Sequence, residues 1–250
     1  MIKKLFLLFI ITSISFGSMA SDGDKPHSKK LSPMKIRKRN ARPDIPGTFL
    51  IELGWNVLQD NPDAMKISTI GSRSLNLYYF YNIELPIGGG RFELMPGFGV
   101  GLDRYKFDDD ITLTESNGSN GVVSIDTLDL DDVSKSMLVA NYFDIPVELR
   151  FYANPNDKRR SFKVGVGFKA GIRFSSHTKI KYEDDGDAIK NKNKRSFGLN
   201  RFRYGVTGRI GIGGFNVFYY QSLSDLFESG EGPLESTATN ITVGLSFTGF

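Results

Sequence analysis

Nucleophilic catalysis has few places to start in this chain, which holds no cysteine and two histidines, His27 and His177. The missing thiol excludes disulfides, thiolate metal sites and a cysteine nucleophile. His177 follows Ser175 and Ser176, and a serine activated by a neighbouring imidazole would suit an envelope enzyme acting on lipid or protein. The pair stands at the edge of a long polar loop, where solvated hydroxyl and imidazole groups are ordinary, and His27 lies in a basic tail. No catalytic residue is assigned. Asp108, Asp109 and Asp110 open the longest loop, which also carries Asp126, Asp129, Asp131 and Asp132. Their oxygens suit a hard cation such as calcium. They lack the glycine-centred order of an EF-hand, so the reading is a solvated acidic loop without a metal. Gly88, Gly89 and Gly90 precede no helix, which removes a phosphate cradle, and no cofactor is expected.

A further set of charged residues is spaced differently. Glu52, Glu84, Glu93 and Glu148, with Arg150, Lys163 and Arg209, fall on the polar parity of strand-like segments at comparable depths from one end. If the segments close into a narrow barrel, these charges face its lumen, where leaving them unpaired costs several kcal/mol each. The expectation is a paired network that fills the lumen and conducts poorly. The alternative is a hydrated small pore in which the charges are solvated.

The elements that must position them read as strands. Residues 48–58, 72–85, 91–107, 137–152, 161–175, 199–212, 215–223 and 236–250 place apolar residues at every second position, the period of a strand with one face in apolar surroundings. Twenty Phe, ten Tyr and 27 Gly fit an all-β chain. The connections 59–71, 86–90, 108–136, 153–160, 176–198, 213–214 and 224–235 alternate long and short, as external loops and periplasmic turns do. The fold expected is an eight-stranded antiparallel up-and-down transmembrane β-barrel over residues 47–250, in contact with outer-membrane lipid. Glycines share the polar faces with charges, as at Gly97, Gly99, Gly101 and Asp103, which suits a crowded lumen. Pro96 and Pro146 remove ladder donors, and a bulge or bend is expected there.

Residues 1–20 read as a secretory signal, with Lys3 and Lys4, an apolar stretch from Leu5 to Ile14, and Ser18-Met19-Ala20 as a cleavage site. No apolar run reaches the eighteen residues of a helical span. The formal charge of +4 is uneven, because residues 21–46 hold eight basic residues against three acidic ones. That segment reads as a basic periplasmic linker, open to a periplasmic partner. It lacks the interleaved aromatics of a nucleic-acid surface, and no nucleic acid is expected. Phe250 looks like an aromatic signal for the barrel-assembly machinery.

Four stretches carry a resemblance: Tyr142 to Arg150 (YFDIPVELR), Gly198 to Gly205 (GLNRFRYG), Tyr219 to Leu226 (YYQSLSDL) and Val243 to Phe247 (VGLSF). They resemble the PorT-like outer-membrane β-barrel family of the Bacteroidota over roughly residues 48 to 250. The resemblance implies an OmpA-like eight-stranded barrel and no particular activity. The function expected is that of a non-enzymatic scaffold, an adhesion element or a subunit of an envelope assembly, with secretion among the roles open to it. A barrel enzyme and a small pore are the alternatives.

Overall fold

Where apolar and polar residues alternate, the chain extends into strands, as seen in a computed structural model that describes residues 47–115, 122–130, 132–185 and 187–248. Residues 1–20, read above as a secretory signal, residues 21–46, read as a linker, and Phe250 lie outside the described residues. The strands are β1 (Thr48–Gln59), β2 (Arg73–Phe80), β3 (Ile83–Glu84), β4 (Phe92–Lys106), β5 (Ile111–Glu115) and β6 (Val123–Thr127). They continue as β7 (Lys135–Tyr152), β8 (Phe162–Asp184), β9 (Asp187–Asn193), β10 (Phe202–Ile212), β11 (Phe215–Ser222) and β12 (Thr239–Thr248). No helix among the described residues is long and apolar enough to cross a membrane.

Eight of these strands close on themselves. β1 pairs with β2 on one side and β12 on the other, and the circuit runs through β4, β7, β8, β10 and β11 with every pairing antiparallel. Closure removes the unpaired edges that an open sheet would expose. The register aligns apolar residues around the outside, as in the cross-strand row Val217, Leu245, Leu53, Leu75 and Leu102.

The burial pattern is inverted relative to a water-soluble barrel. Outward Phe98 and Ile145 are 65% and 63% exposed, whereas inward Glu148 and Arg150 are 2% and 1% exposed. An apolar wall around a charged interior is the arrangement of a barrel in lipid. Outward aromatic pairs flank the wall: Phe92 with Phe151 at 5.3 Å and Phe215 with Phe247 at 5.7 Å toward the short turns, and Phe143 with Phe174 at 4.3 Å toward the long connections.

Two connections depart from the loops read in the sequence. Residues 108–136 contain the β5–β6 hairpin, and residues 176–198 are largely strand, because β8 runs on to Asp184 and pairs with β9. β5 and β6 are only five residues each, too short for periodicity to stand out. Above residue 175 the outward positions of β8 are His177, Lys179 and Lys181, so the alternation persists without its apolar member.

Neither proline carries a register shift. Pro96 opposes Val147, Gly99 opposes Asp144, and the register is the same on both sides; the ladder is interrupted without slipping. The bulge lies farther along, where Tyr142 opposes Arg173 but Asn141 opposes Ser175. Gly88, Gly89 and Gly90 all take positive φ, between 62° and 78°, a conformation that disfavours any side chain. Their role is to turn the chain into β4.

Candidate functional site

Two ion networks occupy the lumen, one above the other. In the network nearer the short turns, Arg209 on β10 bridges Glu52 on β1 and Glu148 on β7 through its two terminal nitrogens. Arg150 Nε donates to the other oxygen of Glu148 at 2.7 Å, and Asn76 Nδ2 donates to Glu52 Oε2 at 2.9 Å. Each carboxylate thus accepts from two donors, the condition under which a buried charge is tolerated.

The second network lies nearer the long connections and centres on Arg203. Its Nε and one terminal nitrogen donate to the two oxygens of Asp144 at 3.0 and 2.7 Å, and its remaining terminal nitrogen reaches Asp103. Tyr78 donates its hydroxyl to Asp144 Oδ2 at 2.7 Å, and Lys169 donates to the Tyr78 oxygen at 3.3 Å. The Lys169 ammonium sits 3.7 Å from the centre of the Tyr220 ring, and the Arg203 guanidinium 3.8 Å from that of Tyr142. Aromatic faces here take up cationic charge that carboxylates leave over.

Glycines make room for both networks. A β-carbon on Gly101 would lie 2.6 Å from Asp144 Oδ2 and collide with Arg203, and one on Gly171 would collide with Asp144. Gly165, the ladder partner of both Arg150 and Arg209, would meet Glu148 in the same way. The small residue and the long charged one are two halves of one packing arrangement.

Of the residues the sequence assigned to a lumen cluster, Glu52, Glu148, Arg150 and Arg209 come together. Lys163 is buried nearby and donates to Thr248 Oγ1 at 3.3 Å, without a carboxylate partner among the described residues. Glu93 lies at the short-turn rim, where Lys158 from the turn holds it at 2.9 Å and Asn82 donates to it at 3.2 Å. Glu84 is a correction: it is exposed at the rim and meets Lys158 at 3.3 Å, because β3 is a two-residue strand that has left the circuit. Burial alone would lower the Lys158 pKa, but hydrogen bonds and charge from Glu93 and Glu84 outweigh it and hold the ammonium above its ordinary range. Sequence reasoning left out Asp103, Asp144, Lys169 and Arg203, all of which stand on the polar parity, and Tyr78, whose aromatic ring disguised its inward position.

The opposite mouth is covered by an apolar cap to which all four long connections contribute. Leu58 and Met65, Ile111 and Val123, Phe197 and Leu199, and Leu226 and Phe227 belong to one buried cluster with Tyr105 and Leu138 from the barrel wall. The aspartates of the longest loop that the structure describes remain exposed, and among described residues no group of three potential ligands gathers to hold a metal. Ser176 accepts from Arg173 at 2.6 Å and donates to the Arg195 carbonyl at 2.7 Å, on the strand face opposite His177. Burial, then Lys192, Lys194, Lys179 and Arg104, push the His177 pKa down.

A family model described as outer membrane protein β-barrel domain matches residues 48–228. No curated protein matches the chain. Among solved structures it is similar to Ail, the attachment invasion locus protein of Yersinia pestis, at 13% identity over 82% of this chain and 100% of that one, with a TM-score of 0.34. The same protein in complex with the heparin analogue sucrose octasulfate is similar at 14% identity over the same shares, with a TM-score of 0.36.

Proposed function

The chain belongs to the outer membrane protein β-barrel domain family, and from that premise we propose that it is a closed, non-catalytic barrel that anchors a folded head at the surface of the outer membrane. In this role it serves as a scaffold, an adhesion element or a subunit of an envelope assembly. The observation that carries the reading is the double closure of the interior: two ion networks fill the lumen, and an apolar cluster from all four long connections covers one mouth. A channel needs a continuous wet path, and eight strands enclose a space that side chains can fill.

The long connections face outward in this reading, since short turns are periplasmic in such barrels. A signal at residues 1–20 delivers the chain, the basic segment 21–46 remains on the periplasmic side, and Phe250 serves the assembly machinery. A non-enzymatic role is supported by the commitment of the lumen carboxylates to arginine and of Ser176 to structural hydrogen bonds.

The full chain reconstituted in planar bilayers should show no steady conductance. Stable open channels in the unmodified protein would overturn the closed-lumen reading and make the small pore the function.

A further inference from the structure

The outer wall changes character where the barrel leaves its apolar band. On β4 the outward residues run Phe98, Val100 and Leu102, followed by Arg104 and Lys106. On β2, Tyr79, Leu77 and Leu75 give way to Arg73, the ladder partner of Trp55. A tilted strand crosses a bilayer in roughly 9–11 residues, whereas β8 has 23. The excess of β8 stands beyond the band as a sheet with β7 and β9.

The outward face of that sheet is cationic in successive cross-strand rows. Lys106, Met137, Lys179 and Lys192 form one row, and Lys135, Lys181 and Lys190 the next. Like charges directly opposite one another destabilise a sheet, so folding gains nothing from this choice of residues. None of these lysines, nor Arg73 or Arg104, is in an ion pair among the described residues. Glu183, the acid on the same face of β8, stands past the last lysine row, opposite Ala188. Burial and then the charges of Lys179, Arg104, Lys106 and Arg73 push the Lys135 pKa below its ordinary value, which places these cations within electrostatic reach of one another.

We propose that this face binds the phosphate groups of glycolipids in the outer leaflet around the barrel. The rows share their outward parity with Leu102 and begin four residues above it, directly after Arg104, so they continue the lipid-facing wall at headgroup height and do not crown the head. A basic surface next to a membrane is drawn to anionic headgroups, and several lysines in adjacent rows match a headgroup carrying more than one phosphate. The inference rests on the outward orientation of the long connections.

The full chain in detergent micelles is titrated with bis-phosphorylated lipid A, with the same lipid stripped of phosphate, and with soluble inorganic polyphosphate, using native mass spectrometry to count bound lipid. One variant carries Lys135→Gln, Lys179→Gln, Lys181→Gln and Lys192→Gln; a control carries Arg91→Gln, Arg159→Gln and Arg160→Gln at the short-turn end. Heat-modifiable migration verifies that both fold. The phosphorylated lipid should bind the unmodified chain and the control alike, and the lysine variant at least about tenfold more weakly. Undiminished binding by the lysine variant, or equal binding of the dephosphorylated lipid, would overturn the site. Displacement of the lipid by equimolar polyphosphate would overturn the leaflet as its source and identify a surface for soluble polyanions. A tag in the β8–β9 turn tests orientation separately: inaccessibility on intact cells would refute the outward head even with binding intact, whereas an accessible tag with lost binding refutes the lipid site alone.

Discussion

Glu148 passes so close to the face of Gly165 that a β-carbon on the glycine would collide with its carboxylate. The contact ties a residue with no side chain to the network that closes the lumen. Gly165→Ala must either displace Glu148 from Arg150 and Arg209 or spread the strands, and overpacking of this kind costs about 1–3 kcal/mol. Gly208, with open space where its β-carbon would stand, provides the comparison. Urea unfolding in lipid vesicles, followed through Trp55, should show a clear loss for Gly165→Ala and a change within about 0.5 kcal/mol for Gly208→Ala. Equal midpoints would mean that the glycine is not needed by the network.

Arg209 connects two carboxylates, and among the described residues it is the one cation in an ion pair with Glu52. Arg209→Ala leaves Glu52 with Asn76 and Glu148 with Arg150, and removing one partner of a buried pair costs about 3–5 kcal/mol. Arg201→Ala, at an exposed position on the same stretch of chain, should change stability by no more than about 0.5 kcal/mol. The unfolding midpoints of the two variants, compared in the same vesicles, decide the matter; similar values would show the lumen to be hydrated enough to solvate the freed carboxylates.

Much of this was legible in the sequence because a period of two survives wherever one strand face meets lipid. The order of strands, their outward residues and the alternation of connections all followed from it. The lumen was harder to read because depth depends on the stagger between strands, which alternation does not encode. Thus Glu52, Glu148, Arg150 and Arg209 were grouped by counting from one end, whereas Asp103, Asp144 and Arg203 lay on the right parity but too far along their strands to be grouped. Glu84 was misplaced because its strand breaks after Phe80 and resumes for two residues outside the circuit. The cap was invisible for another reason: its apolar residues come from four separated connections, and none of these alone is long enough in pattern to announce a core.

Phe227 belongs to that cap and is 1% exposed. Truncating a buried aromatic residue costs about 3–5 kcal/mol where the surroundings cannot collapse. Here the barrel wall stands on its own ladder, so the loss should be felt in the head. Phe227→Ala should make residues 108–136 and 223–238 more sensitive to protease while heat-modifiable migration of the barrel persists. Unchanged cleavage would mean that the connections are held by their hydrogen bonds and not by the shared apolar cluster.

The rim clamp made by Lys158 carries its own pH dependence. Its ammonium is held 3.3 Å from Glu84 and 2.9 Å from Glu93, and its pKa is raised in the folded protein. Protonation therefore favours folding: the contribution is complete below the value of a free lysine, about 10.4, and is lost as pH rises through the higher folded value. Since Glu84 is largely exposed, the pair with it is screened, and the clamp as a whole contributes on the order of 1 kcal/mol. The stability difference between the unmodified chain and Lys158→Met should be constant from neutral pH to about 10 and shrink above that. A difference that persists undiminished at pH values well above the folded pKa would show that the lysine acts there through the packing of its alkyl chain, and that the carboxylates contribute nothing to holding the turn.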